Sequence, residues 1–240
     1  DEAADRDGYI AVYPNGTGGI GGRFLTWNAG SCCGRAAANR IDDVGFSLAL
    51  LDDLGRRVTV DTTRIYATGL SNGSMMAYRL AAEAPHRVAA VAGVAGAMTP
   101  RSAPAIPMPV MHIHSVNDRI ALYGGGLGRT AAFVDPRAAH HSVDDMIGKW
   151  TVHNACPAQP RMLGPVSGKP GAKDAKHTAA RYTHAPCRNG TEVVLWKLTG
   201  AGHVWPGGVQ DYLPLILGTG TAVIDANTEM WRFFRRFRRD

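Results

Sequence analysis

Three observations on this 240-residue chain predict an α/β fold, a mostly parallel sheet covered by helices on both faces. Short apolar runs bounded by turn residues alternate several times with segments whose apolar residues recur at helical spacing. The runs are continuously apolar, as strands buried on both faces require. Just past the ends of three of them stand residues able to do chemistry, Ser71, Asp118 and His203, where ligands bind on such sheets.

Composition supports this. The chain is 45% hydrophobic and 19% charged, an ordinary globular balance for one domain, taken as 1–240. No apolar run approaches the roughly 18 residues of a membrane helix, so no membrane partner is expected. The net charge is +6, and Arg232, Arg235, Arg236, Arg238 and Arg239 cluster near the end. No recognition motif accompanies them, so they read as the solvated face of a terminal helix and not as a nucleic-acid site. The four cysteines lack C-x-x-C spacing and lie near no histidine pair at ligand spacing, so zinc is not expected, and the serine chemistry described below needs no metal or organic cofactor. Cys156 and Cys187 flank a polar segment, and a disulfide there would close a loop of about 30 residues and contribute roughly 3–4 kcal/mol. Of the adjacent Cys32 and Cys33, one is expected to reach a partner outside this chain. This cysteine usage favours an oxidising compartment, secreted or periplasmic.

The elements follow in order. Asp1 to Gly8 reads as the end of a helix stopped by glycine. Tyr9–Tyr13 follows at once as a buried strand, stopped by Pro14-Asn15-Gly16. From that abrupt start the natural N-terminus is expected to lie upstream. Thr17 to Gly34 is a long glycine-rich loop carrying Phe24, Trp27 and the cysteine pair. Such loops are often functional, and Trp27 either lines a cleft or plugs the core edge. Asp42-Asp43 starts a helix with Val44, Leu48 and Leu51 on one face, where acidic residues suit the dipole.

Ile65–Thr68 reads as a strand, and Met76 with Leu80 and Ala77 with Ala81 mark the helix after Gly69-Leu70-Ser71-Asn72-Gly73. Val88–Val94 and Pro107–His114 are further strands, the second leading to Asp118. Val143–Trp150 is a helix, Pro157–Lys176 an exposed polar insertion, and Thr191–Leu198 the last strand before His203. The final helix begins near Asp225 or Asn227 and buries Met230, Trp231, Phe234 and Phe237.

A G-x-S-x-G pentapeptide between strand and helix is the setting of a strained turn that exposes a serine. Side chains two before and two after that serine would collide, and glycine removes the clash. Ser71 is thereby the candidate nucleophile, and the Asn72 N–H, at a helix N-terminus, the candidate oxyanion donor. A serine hydroxyl needs a base to take its proton, and a carboxylate to hold that base. His203, in a glycine-rich loop after a late strand, is the candidate base. His112 and His114 read as packing groups, and His86, His140, His141, His153, His177 and His184 as solvated ones. Asp118 is the candidate acid ahead of Asp135, Asp144 and Asp145, the last two explained by a helix start. An Asx turn is the plain alternative for Asp118.

Several stretches carry a resemblance: Val12–Gly16, Trp27-Asn28-Ala29-Gly30-Ser31-Cys32-Cys33-Gly34, Asp42–Phe46, the serine pentapeptide, and Gly202-His203-Val204-Trp205-Pro206-Gly207-Gly208. Together they resemble, over nearly the whole chain, the secreted esterase family of polyhydroxybutyrate depolymerase-like proteins, feruloyl esterases and acetylxylan esterases. The resemblance implies an α/β-hydrolase fold with Ser71, Asp118 and His203 as catalytic triad. The chain departs from the family at Ser115, where glycine is usual, and at Leu122, where proline is usual. The family's upstream strands are absent, with a His-Gly loop that supplies the second oxyanion N–H. The expected activity is serine carboxylic-ester hydrolysis on a polyester or plant-wall ester, with Trp205 and Trp27 lining the cleft. The rival expectation is a non-catalytic ligand-binding module on the same fold.

Overall fold

The structure, a computed structural model, describes residues 2–18, 24–128, 140–209 and 213–239. Along the chain come α1 (Glu2–Asp7), α2 (Gly34–Ala38), α3 (Asp43–Arg57), β1 (Tyr66–Leu70), α4 (Asn72–Glu83), β2 (Ala90–Val94) and β3 (Val110–Ser115). Then follow α5 (Val143–His153), β4 (Arg161–Ser167), β5 (Thr178–His184), β6 (Val193–Thr199), α6 (Pro214–Leu217) and α7 (Ala226–Phe234). The six strands form one sheet in the order β1-β2-β3-β6-β5-β4. The β1–β2, β2–β3 and β3–β6 ladders are parallel, and β5 and β4 extend the sheet antiparallel. The sheet is therefore mostly parallel, as the sequence predicts.

Side chains alternate across a strand, so each central strand feeds two cores. On one face Val91, Val110, Val193 and Leu195 pack with Met75, Tyr78 and Ala81 of α4 and Val143, Met146 and Trp150 of α5. On the other, Ala92, Val94, Met111, Ile113, Val194 and Trp196 pack with Met230, Phe233 and Phe234 of α7. Continuous apolar runs were needed because both faces are covered.

The caps explain where the helices begin. Asp42 accepts the Gly45 N–H at 2.8 Å ahead of α3, and Asp225 accepts the Thr228 N–H at 2.7 Å ahead of α7. At α5 the cap is Ser142, whose hydroxyl accepts the Asp145 N–H at 3.3 Å. Asp144, in the first turn, accepts the Tyr123 hydroxyl at 2.5 Å.

Three expectations need correction. Tyr9–Tyr13 forms no strand: Ile10, Val12 and Tyr13 are exposed, and an apolar run becomes a strand only where a neighbour completes its backbone bonds. Tyr9 instead rests its ring 4.6 Å from that of Trp231. The polar insertion at 157–176 contains β4, exposed along its whole length and paired on one side to β5. Cys32 and Cys33 lie sulfur to sulfur, so neither turns to an outside partner, while Cys156 bonds Cys187 as expected. The C-terminal arginines Arg232, Arg235, Arg236 and Arg238 are exposed, as expected of a solvated face; within it Arg232 pairs with Glu229 at 2.8 Å and Arg236 with the buried Glu192, while Arg239 donates to the Val88 carbonyl at 2.8 Å.

Candidate active site

Ser71 stands between β1 and α4 with φ 58° and ψ −120°. A positive φ is strained for a residue with a side chain and is held here by its surroundings. The Ser71 N–H donates to the Val94 carbonyl at 2.8 Å, and the Ser71 carbonyl accepts the Met75 N–H at 3.1 Å. A Cβ on Gly69 would lie 2.4 Å from the carbonyl carbon of Gly73. A Cβ on Gly96, after β2, would press on the Ser71 carbonyl oxygen. The turn closes only because those positions lack side chains.

Asn72 follows with its N–H at the first turn of α4, where the helix dipole is positive. Its side chain does something the sequence did not suggest. The Asn72 Oδ1 accepts the Trp27 N–H at 2.6 Å, and the Asn72 Nδ2 donates to the Trp27 carbonyl at 3.0 Å. The next residue of that loop is gripped as well: Asn28 N–H donates to the buried Asp43 at 2.6 Å, and Arg79 donates to the Asn28 carbonyl at 2.5 Å. The Trp27 loop is thus fastened to the serine turn from 45 residues away. The Trp27 ring stacks on Phe46, with centroids 6.2 Å apart.

Asp118 is buried, and its two oxygens have separate tasks. The Oδ1 accepts the Ile120 and Ala121 N–H groups at 2.8 and 2.9 Å. The Oδ2 accepts the His203 Nδ1–H at 2.7 Å, and His114 Nε2 lies 3.5 Å from the same oxygen. The Asx turn weighed against an acid role is therefore present alongside the histidine contact. Burial alone would raise the Asp118 pKa, but hydrogen bonds and charge from His114 and His203 outweigh it and hold the carboxyl well below its usual range.

His203 is itself buried, and its N–H donates to the Leu217 carbonyl at 2.6 Å. The loops carrying Asp118 and His203 are tied together. The Ser115 hydroxyl donates to the Ala201 carbonyl at 2.5 Å, and the Gly200 N–H donates to Asn117 Oδ1 at 2.7 Å. Ser115, the departure from the family glycine, is thus a cross-link between them. Trp205 is half-buried against the core beside α7, with its indole N–H donating to Asn227 Oδ1 at 3.2 Å.

The remaining candidates separate cleanly. His112 and His114 are buried in the strand and hydrogen-bonded. His177 and His184 are buried, contrary to expectation: His177 fills the space beside Gly200, and His184 meets the Pro157 carbonyl at 2.8 Å. Asp135 lies outside the described residues. Among the described residues no group of three or more potential ligands could hold a metal, and no helix is long and apolar enough to cross a membrane.

No protein-family model matches the chain. Curated proteins do. The chain is 34% identical over 182 residues to NocK of Nocardia uniformis subsp. tsuyamanensis, named for an inferred esterase activity, covering 73% of this chain and 52% of that protein. It is 27% identical over 213 residues to feruloyl esterase B of Piromyces equi, covering 84% of this chain and 35% of the relative. It is 24% identical over 201 residues to the bifunctional acetylxylan esterase/xylanase XynS20E of Neocallimastix patriciarum, covering 83% and 25%. The chain spans about half the length of the first of these relatives and less of the other two. The curated homologues of the chain are esterases, consistent with a feruloyl and acetylxylan esterase-like family and with an α/β-hydrolase fold.

Proposed function

We propose that this chain is a serine carboxylic-ester hydrolase working through an acyl-enzyme. The observation that carries this reading is the buried Asp118–His203 bond of 2.7 Å, on loops past the same ends of the sheet as the strained Ser71 turn. Asp118 holds the Nδ1–H, so the neutral ring keeps Nε2 bare for the Ser71 proton. Ser71 Oγ attacks the ester carbonyl while His203 takes its proton. The Asn72 N–H donates to the developing oxyanion, His203 returns the proton to the departing alcohol, and a water activated the same way releases the acid. Trp27, fastened beside the serine turn, and Trp205, on the His203 loop, line the cleft in this reading.

The names of the relatives favour plant-wall esters, feruloyl or acetylxylan; a polyester such as polyhydroxybutyrate is the competing substrate. The Cys156–Cys187 bond favours a secreted or periplasmic setting. Nucleic acid and membrane have no part in the reading.

Ser71→Ala is expected to lower turnover on methyl ferulate or acetylated xylan by roughly 10⁶. A fluorophosphonate should label Ser71 in the wild type and nothing in the variant. Full activity in Ser71→Ala would overturn the assignment, and a wild type that stays unlabelled would favour a binding module. A panel that adds hydroxybutyrate oligomers decides the substrate class.

A further inference from the structure

Behind Asp118 lies a file of buried polar groups for which ester hydrolysis has no direct use. Tyr78 of α4 is buried, and its hydroxyl lies 2.7 Å from His112 Nδ1. His112 Nε2 lies 2.9 Å from His114 Nδ1. His114 Nε2 lies 2.7 Å from the Ala121 carbonyl and 3.5 Å from Asp118 Oδ2. His112 and His114 are two apart on β3, so both rings project to the face that α4 covers.

The far end fixes every proton in the file. A carbonyl oxygen only accepts, and a carboxylate lies beside it, so His114 Nε2 carries the hydrogen. In a neutral ring that leaves Nδ1 bare, and the contact requires His112 Nε2–H to donate to it. His112 Nδ1 is then bare in turn, and the Tyr78 hydroxyl donates there. Any reversed bond would set two lone pairs against each other in a buried site and leave a hydrogen bond unmade. Burial, helped by the nearby His114, keeps His112 in its neutral form.

We propose that His114, oriented by His112 and Tyr78, is a positioning residue that holds the Asp118 carboxylate in register with His203. The proposal rests on the serine-hydrolase reading above. The hold is double. By gripping the Ala121 carbonyl, His114 anchors the turn whose Ile120 and Ala121 N–H groups fix Asp118 Oδ1. By directing the same N–H beside Oδ2, it leaves that oxygen one clear direction, toward His203. The Tyr123 ring, edge-on to His114 at 5.8 Å, closes the other side. A purely apolar core here would pack as well and leave the turn unanchored, which is what an interior polar file is for.

The test combines spectroscopy with kinetics. Long-range proton–nitrogen spectra of the imidazoles are expected to show the Nε2–H form for His112 and His114 and the Nδ1–H form for His203. Tyr78→Phe should leave His112 in the Nε2–H form, because the Ala121 end of the file sets it. His114→Leu is expected to lower kcat about tenfold or more with KM nearly unchanged, because the substrate surface is intact and the base is misaimed. His114→Gln, whose amide both accepts and donates, should recover most of that loss. An Nδ1–H form at His114 overturns the proposal whether or not the leucine variant folds. So does a folded His114→Leu with wild-type kcat. A wild type that no fluorophosphonate labels overturns the hydrolase reading instead, and is told apart because the imidazole pattern of the file would still be present.

Discussion

Asn72 does two things with two different groups. Its backbone N–H belongs to the serine turn, and its side chain pairs with both polar atoms of the Trp27 peptide. Any residue supplies the first; only an amide of this length supplies both halves of the second. Asn72→Ala therefore keeps the oxyanion donor and releases the loop. Its expected effect is a several-fold rise in KM for aryl esters and a fall in kcat/KM of about tenfold, with fluorophosphonate labelling of Ser71 preserved. Steady-state kinetics on methyl ferulate check this, and an unchanged KM would show that the loop does not touch substrate. The glycine clash at Gly69 was legible in the sequence because both partners lie within five residues. The Asn72 clamp was not, because its partner lies 45 residues away in a loop with no periodicity to place it.

At the scale of elements, what was legible depended on burial. The strands β2, β3 and β6 announce themselves because both faces are covered and their sequences are largely apolar, whereas β1 is only half-buried, with Thr68 exposed, and was legible from the serine turn that follows it. The strand β4 reads as loop, since it carries Gly164 and Pro165, is exposed at every position and owes its form to β5 alone. Tyr9–Tyr13 fails in the opposite way, apolar enough for a strand yet without a ladder among the described residues. The edge hairpin of β4 and β5 lies within the loop closed by Cys156 and Cys187, a separation of 31 residues. Constraining an unfolded loop of that length is worth roughly 3–4 kcal/mol. The double variant Cys156→Ser, Cys187→Ser should lose about that much in urea unfolding while keeping measurable esterase activity at low temperature, since the bond is remote from the serine turn in sequence. An unfolding midpoint equal to the wild type would refute it.

Across the whole molecule, the histidines buried in the central sheet lie under one helical layer. The α7 side is filled by Met230, Phe233, Phe234 and their apolar partners. The α4 and α5 side encloses Tyr78, His112 and His114, so acid should act on the fold chiefly from that side. Burial, the largest cause in each case, pushes the imidazoles of His112, His140 and His141 below their ordinary value. An unfolded histidine titrates near pH 6.5, so below about that pH the unfolded chain binds more protons than the folded one. Stability from these three groups is complete above about pH 6.5 and declines as pH falls toward their folded values. Asp118 acts later with the usual carboxylate sign. Its folded pKa is depressed, so its contribution is present above about pH 4, the unfolded value, and is lost as pH falls further. Melting temperatures at low salt should be level from pH 8 to 7, fall between pH 6.5 and 5, and fall more steeply below about pH 4. A melting temperature that holds level from pH 8 down to 5 would mean that these three histidines are no less protonated in the folded state, and a neutral His112 between Tyr78 and His114 could not stand as drawn.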